Sequence, residues 1–216
     1  MTPHADQPPP GPSGTWIIDL THSSAALTWG RLRPGTVTGR LHCLGVIHLD
    51  DLPRVGIIQF QQPSGLPVLT MALDPASVDT GDADLDTLLC GPDAFDVKGH
   101  RWWTLRSESL EVLPTGAWRV MATLTARGTP ALVELHFEVD PEASDGGRLV
   151  LRGRGVLDRR TFGIGRPPGI RSPWVRLDLE LHATRVTRAS LPEPQSGRVK
   201  NSATSSGPVV GSSSGS

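Results

Sequence analysis

The chain has 216 residues, 37% hydrophobic and 20% charged, which is enough for one domain of ordinary size. Its formal net charge of −1 excludes a general nucleic-acid binder, whose affinity rests on a basic surface neutralising phosphates. The 24 Gly and 20 Pro exclude a helical bundle, and apolar residues recurring at every second position predict a mainly β fold.

Residues 1–14, MTPHADQPPPGPSG, are rich in Pro and Gly and lack apolar anchors, so they are expected to be disordered. They carry neither the basic nor the apolar region of a secretion signal, and no apolar run in the chain approaches the roughly 20 residues needed to cross a bilayer. A cytoplasmic protein without a membrane-spanning segment is the expectation. The first strand is predicted at Trp16-Ile17-Ile18-Asp19, and the second at Ala25 to Trp29 after a turn at His22-Ser23-Ser24. From Thr36 to Asp50 the chain alternates, with Val37, Gly39, Leu41 and Cys43 on one face and Thr36, Thr38, Arg40 and His42 on the other. Gly45 marks an expected bulge or bend in this strand. Val55 to Phe60 and Leu66 to Leu73 are expected to pair as a hairpin across residues 61–65.

The stretch from Ser77 to Val97 breaks the alternation. Apolar Val78, Leu85, Leu88, Leu89, Phe95 and Val97 stand among acidic and turn-forming residues, with Gly91-Pro92 interrupting them, so a short helix near residues 82–95 is predicted to pack on the sheet. Beyond it, Trp102 to Val112 and Trp118 to Arg127 form a strand pair around Pro114-Thr115-Gly116. Ala131 to Asp140 alternates most cleanly, with Val133, Leu135 and Phe137 against Glu134, His136 and Glu138. Asp145-Gly146-Gly147 turns the chain into Leu149 to Leu157, and the last strand, Trp174 to Val186, sets Val175, Leu177, Leu179 and Leu181 on one face. Residues 190–216 have the composition of a disordered Gly/Ser-rich tail, which leaves one domain over residues 15–189.

Several motifs occur in a fixed order along this series. They are Trp16, Ile18, Asp19, His22 and Ser23; the turn Ser77, Asp79, Thr80, Gly81 with Asp86, Leu89 and the exit Phe95-Asp96-Val97; the run Leu124-Thr125-Ala126-Arg127-Gly128-Thr129-Pro130; and Leu157 to Ile164 with its Phe162-Gly163-Ile164 end. From Trp16 to Val186 the chain thus resembles the YceI-like family, lipocalin-like barrels that bind polyisoprenoids. It departs from that pattern at Leu27, Arg31, Leu85 and Ala94, and by one residue deleted from the Leu124 to Pro130 run.

The resemblance implies an antiparallel eight-stranded lipocalin-like barrel with an elongated apolar tunnel. It further implies non-enzymatic binding, storage or transport of an isoprenoid lipid, of isoprenoid quinone or polyprenyl phosphate type, with no cofactor. Such a carrier would meet a membrane surface transiently, and the resemblance allows a homodimer. The expected wall is Leu27, Trp29, Leu41, Cys43, Trp103, Leu105, Leu124, Leu135, Phe137, Phe162, Leu177 and Leu179. Arg31 and Arg159 are the candidates for the lipid head, because a guanidinium fork matches phosphate or quinone oxygens. For Arg159, flanked by Asp158 and Arg160, a surface ion pair is the competing reading. A barrel of this size is either filled by its own side chains or holds one small ligand. A filled barrel serving protein interaction and a hydrolase-like enzyme acting on a lipid-like substrate are therefore the alternatives.

Other patterns have plainer explanations. Asp82, Asp84, Asp86 and Asp93 fall on a calcium-loop spacing, but Thr87 stands where that loop needs Gly, and aspartates at a helix N-terminus account for them, so no metal is expected. Cys43 and Cys90 read as buried free thiols, and Arg152-Gly153-Arg154-Gly155 as a solvated strand face rather than an RNA-binding fragment. No Gly-x-Ser-x-Gly elbow names a catalytic nucleophile. Residues 1–97 hold four Arg against eleven Asp, and residues 98–216 hold seventeen Lys or Arg against eleven Asp or Glu, or −7 against +6. The two halves are expected to complement each other across the barrel.

Overall fold

The computed structural model describes residues 13–31, 36–49, 56–59, 68–166 and 169–186. The expected tail at 190–216, most of the N-terminal segment and the expected turn at 61–65 lie outside these residues. Among the described residues the elements run β1 (Thr15–Ile18), β2 (Ser24–Arg31), β3 (Thr36–His48), β4 (Gly56–Gln59), β5 (Leu69–Asp79), α1 (Ala83–Cys90), β6 (Trp103–Val112), β7 (Trp118–Ala126), β8 (Thr129–Val139), β9 (Arg148–Asp158) and β10 (Ile170–Arg185).

Eight strands close an antiparallel ring in the order β10, β2, β3, β5, β6, β7, β8, β9, with β9 returning to β10. The other two strands share positions in that ring. β1 pairs with both β3 and β10, at Ile18↔Gly45 and Ile18↔Ala183, and so continues the column that β2 begins. β4 pairs with β6 at Gly56↔Val112, beyond the point where β5 pairs with it at Thr70↔Arg106. The expected β4–β5 hairpin is thereby corrected. β6 is ten residues long and β5 pairs with only its first half, so β4 takes up the backbone groups left open along the rest.

The irregular site in β3 also differs from expectation. The register is continuous through Gly45, which pairs with Met71, so no bulge lies there. What demands glycine is close approach: a Cβ at this position would lie 2.2 Å from the Thr70 carbonyl oxygen. The shift falls instead between Arg40↔Asp79 and His42↔Asp74, where β5 accommodates extra residues beside Pro75. Ser77 Oγ closes this bulge, accepting from His42 N at 2.7 Å and donating to Asp74 O at 2.7 Å.

Alternation sorts the faces as the sequence predicts. Val37, Leu41, Cys43, Leu135, Phe137, Leu177 and Leu179 are buried inside the ring, while Glu134, His136 and Glu138 face outward. In Arg152-Gly153-Arg154-Gly155 the arginines are exposed and the glycines point inward, beneath Phe137 and Leu135. Helix α1 starts at Asp82, whose carboxylate accepts from the amides of Asp84 and Leu85 at 3.1 and 3.2 Å. Asp86 reaches back to Thr80 N and Oγ1 at 2.9 and 2.6 Å. The helix buries Leu85 and Leu89 and stops at Gly91, ahead of Pro92. Two of the four aspartates on the calcium spacing thus bind the chain's own backbone, and no group of three metal ligands occurs among the described residues. No helix among them is long and apolar enough to cross a membrane.

Charge complementarity between the two halves does not take the expected form. Among the described residues every Arg–carboxylate pair lies within residues 98–216: Arg119–Glu111, Arg152–Asp140, Arg160–Asp158 and Arg176–Asp178. Several aspartates of the first half serve turns and the helix start instead, as Asp19, Asp74, Asp79, Asp82 and Asp86 do.

Four carboxyls sit below their ordinary range. The Thr21 hydroxyl and then His22 hold Asp19 down, the Ala143 amide chiefly holds Asp140, the Gly147 amide Asp145, and the Arg160 side chain Asp158. A depressed folded value contributes stability that is present above the unfolded carboxylate value, about 3.9, and lost as pH falls toward the folded value. The urea midpoint is therefore expected to be level from about pH 8 to 5 and to drop below about pH 4. A midpoint that rose on acidification would contradict these hydrogen bonds.

Candidate ligand-binding site

The end of the barrel at which β5, β7 and β9 finish is closed by three non-strand segments. The first is the exit from α1, residues 91–97, which buries Phe95. The second is a 3-10 turn, Arg159–Phe162, whose cap Gly163 takes the left-handed conformation at φ +64°, followed by Ile164 and Gly165. The third is the β7–β8 turn at Arg127-Gly128, which donates from Arg127 Nη1 to Gly163 O and from Nη2 to Pro92 O at 2.9 Å. The first two also meet directly, Gly165 N donating to Asp93 O at 2.7 Å.

Beneath this closure lies an apolar void. Trp29 and Trp103 stand on strands, and Phe95 enters between them from the loop, edge-on to Trp103 at 4.8 Å and 76° and 6.3 Å from Trp29. Phe162 and Ile164 also line the void. The void measures about 20 Å³, and a second, lined by Phe137, Trp118 and Leu151 toward the opposite end, about 10 Å³. A single water needs about 10–15 Å³ on this measure. Among the described residues, leucines and aromatics pack the interior between the two voids.

Among the described residues, the one charged group at the upper void is Arg159, 7% exposed. Its Nε donates to Ser172 O at 3.2 Å and Nη1 to Ile164 O at 2.8 Å. Burial pulls this guanidinium below its ordinary value, against the opposite pull of Asp158. The competing ion-pair reading is corrected, because Asp158 is taken by Arg160, with Arg160 Nη2 at 2.6 Å.

Of the residues read as wall, Leu27, Trp29, Trp103, Leu124 and Phe162 line the upper void with Arg159, and Phe137 lines the lower one. Leu41, Cys43, Leu105, Leu135, Leu177 and Leu179 are buried inside the barrel but border neither void. Arg31 closes β2, and its side chain lies outside the described residues. Burial pushes the Cys43 thiol up to about 12, so it is inert at neutral pH, while Cys90 is only partly buried.

A YceI-like domain model matches residues 16–183. The chain belongs to the YceI-like family. Its structure is similar to that of a polyisoprenoid binding domain from Saccharophagus degradans implicated in plant cell wall breakdown, with 14% identity, a TM-score of 0.58, and coverage of 79% of this chain and 98% of that one. BcnA from Burkholderia cenocepacia is also similar, at 18% identity and a TM-score of 0.56, over 78% of this chain and 99% of that one. At these identities the likeness establishes the fold. No curated protein matches the chain.

In this YceI-like chain, three of the sequence motifs converge on the closed end: Phe95-Asp96-Val97, Arg127-Gly128 and Phe162-Gly163-Ile164. Phe95, Ala126, Leu157, Ile164 and Val175 line the upper void and are absent from the predicted wall. Phe95 and Ile164 both stand in the motifs that carry the resemblance.

Proposed function

We propose that this chain binds an isoprenoid lipid, of quinone or polyprenyl phosphate type, in the barrel beneath the closed end and does so without catalysis. The observation that carries the reading is an apolar void bordered by one buried cation, Arg159. Family membership and the polyisoprenoid-binding domain from Saccharophagus degradans support the same ligand class. Each methylene buried contributes roughly 0.8 kcal/mol, so the chain supplies most of the affinity and the cation orients the head.

Room for the lipid must be made, and the topology allows it. Phe95 and Phe162 sit on a loop and a 3-10 turn, so they can withdraw without breaking a strand ladder, whereas Trp29 and Trp103 are fixed in the ring. A void of only about 20 Å³ favours one other reading, a filled barrel that serves protein interaction.

Titration with farnesyl phosphate, followed by tryptophan fluorescence, separates the two. The wild type is expected to bind, and Ala126→Leu, which overfills the void, to lose binding while keeping its near-UV spectrum. Glu138→Ala, on the outer face of β8, is expected to bind as the wild type does. Arg159→Met is expected to weaken farnesyl phosphate about ten- to hundredfold, from the loss of a charge-assisted hydrogen bond, and to leave squalene binding nearly unchanged. Equal binding by wild type and Ala126→Leu would place the ligand elsewhere, and no binding by any form would favour the filled barrel.

A further inference from the structure

We infer that residues 91–97 and 159–165 form a lid over the lumen and that Arg127 is the latch that holds it shut. The purpose assigned to the lid rests on the lipid-binding reading; the latch itself rests on the geometry of three segments.

The two halves of the lid move as one piece. Gly165 N donates to Asp93 O at 2.7 Å, and a Cβ on Gly165 would lie 2.2 Å from that same oxygen, so the backbones touch with no side chain between them. Each half carries an aromatic plug, Phe95 or Phe162, into the void. The lid backbone belongs to no strand, so lifting it breaks no ladder bond.

The fork of Arg127 joins both halves to the barrel at once, through Gly163 O and Pro92 O. The residue is held at φ +49°, a conformation that side chains seldom adopt, followed by Gly128 at +72°. Its Nε is buried without a partner, and no carboxylate pairs with it among the described residues. The fastening is thus two charge-assisted hydrogen bonds to neutral carbonyls. Lysine, with a single ammonium, keeps the charge but cannot reproduce the fork.

Hydrogen exchange of the ligand-free full chain tests the latch directly. Arg127→Ala is expected to speed exchange in peptides covering 91–97 and 159–165 by about tenfold while the centres of β7, β8 and β9 stay as they were, with Arg127→Lys in between. Unchanged lid exchange in both variants would overturn the inference, as would acceleration spread evenly over the barrel, which is the signature of a merely structural residue. A second arm uses stopped-flow mixing with farnesyl phosphate. Because the lipid needs Phe95 and Phe162 withdrawn, loosening the latch raises the on-rate and tightens the apparent Kd by up to the factor seen in exchange, whereas a weaker Kd at an unchanged on-rate would contradict the latch. Should the wild type bind no farnesyl phosphate, the lipid-binding reading fails and the exchange result alone decides the latch.

Discussion

Phe95→Ala is expected to destabilise the chain by about 3–5 kcal/mol, the usual range for a fully buried phenyl ring, and at the same time to enlarge the void beside it. The ring is 1% exposed, lies 4.8 Å from Trp103 and forms part of the wall of a void of about 20 Å³. Its removal joins that void to the space that the phenyl group filled, beside two indole rings. Apolar space of that kind stays dry and takes up molecules the size of benzene. Saturating benzene should then raise the Tm of the variant by mass action and leave the wild type unmoved. A loss of stability below about 1 kcal/mol would mean that Phe95 is not packed as a plug. A loss of the full size without benzene uptake would mean that the lid collapses inward instead of leaving a cavity.

Gly45→Ala carries the second large effect. Strand β3 is paired on both sides at this point, with Ile18 on one flank and Met71 on the other, so neither neighbour can withdraw without opening a ladder. The added methyl would lie 2.2 Å from Thr70 O and 2.9 Å from Met71 Cα, both backbone atoms. The expected cost is about 3 kcal/mol or more, the upper end for overpacking. Gly39→Ala on the same strand is the comparison. There a Cβ would meet the side-chain tips of Val78, Thr80 and Trp29 at 3.0 to 3.3 Å, which can give way, and about 1 kcal/mol is expected. Urea denaturation of the two variants checks the order, and a Gly45→Ala variant as stable as Gly39→Ala would contradict the β1–β3–β5 junction.

Facing was legible in the sequence because side chains alternate strictly along a strand. The inward sets of β3, β8 and β10 follow from the pattern of Leu41 and Cys43, Leu135 and Phe137, and Leu177 and Leu179. Pairing was less legible. Nothing local indicates that β6 extends past β5, so the sequence points β4 to its nearest neighbour along the chain. Alternation also reports which way a side chain points and not how much space is left between opposing ones, so the size of the voids has no signature in the pattern.

Alternation marks inward positions on strands and none in a loop, so the predicted wall, apart from Phe162, lies on strands and leaves out Phe95 and Ile164. Arg159 shows the same effect of local geometry. Three charged residues in a row, Asp158-Arg159-Arg160, read as surface, but a 3-10 turn repeats every three residues and places Arg159 on the side of Phe162. That turn directs one guanidinium inward and leaves its neighbour Arg160 to pair with Asp158 outside.

Native mass spectrometry of the purified full chain, followed by organic extraction, tests the central claim most directly. A bound long apolar molecule, retained by the wild type and lost from Ala126→Leu, is the predicted result. A spectrum showing the chain alone, together with a wild type that takes up neither farnesyl phosphate nor squalene on titration, would contradict it.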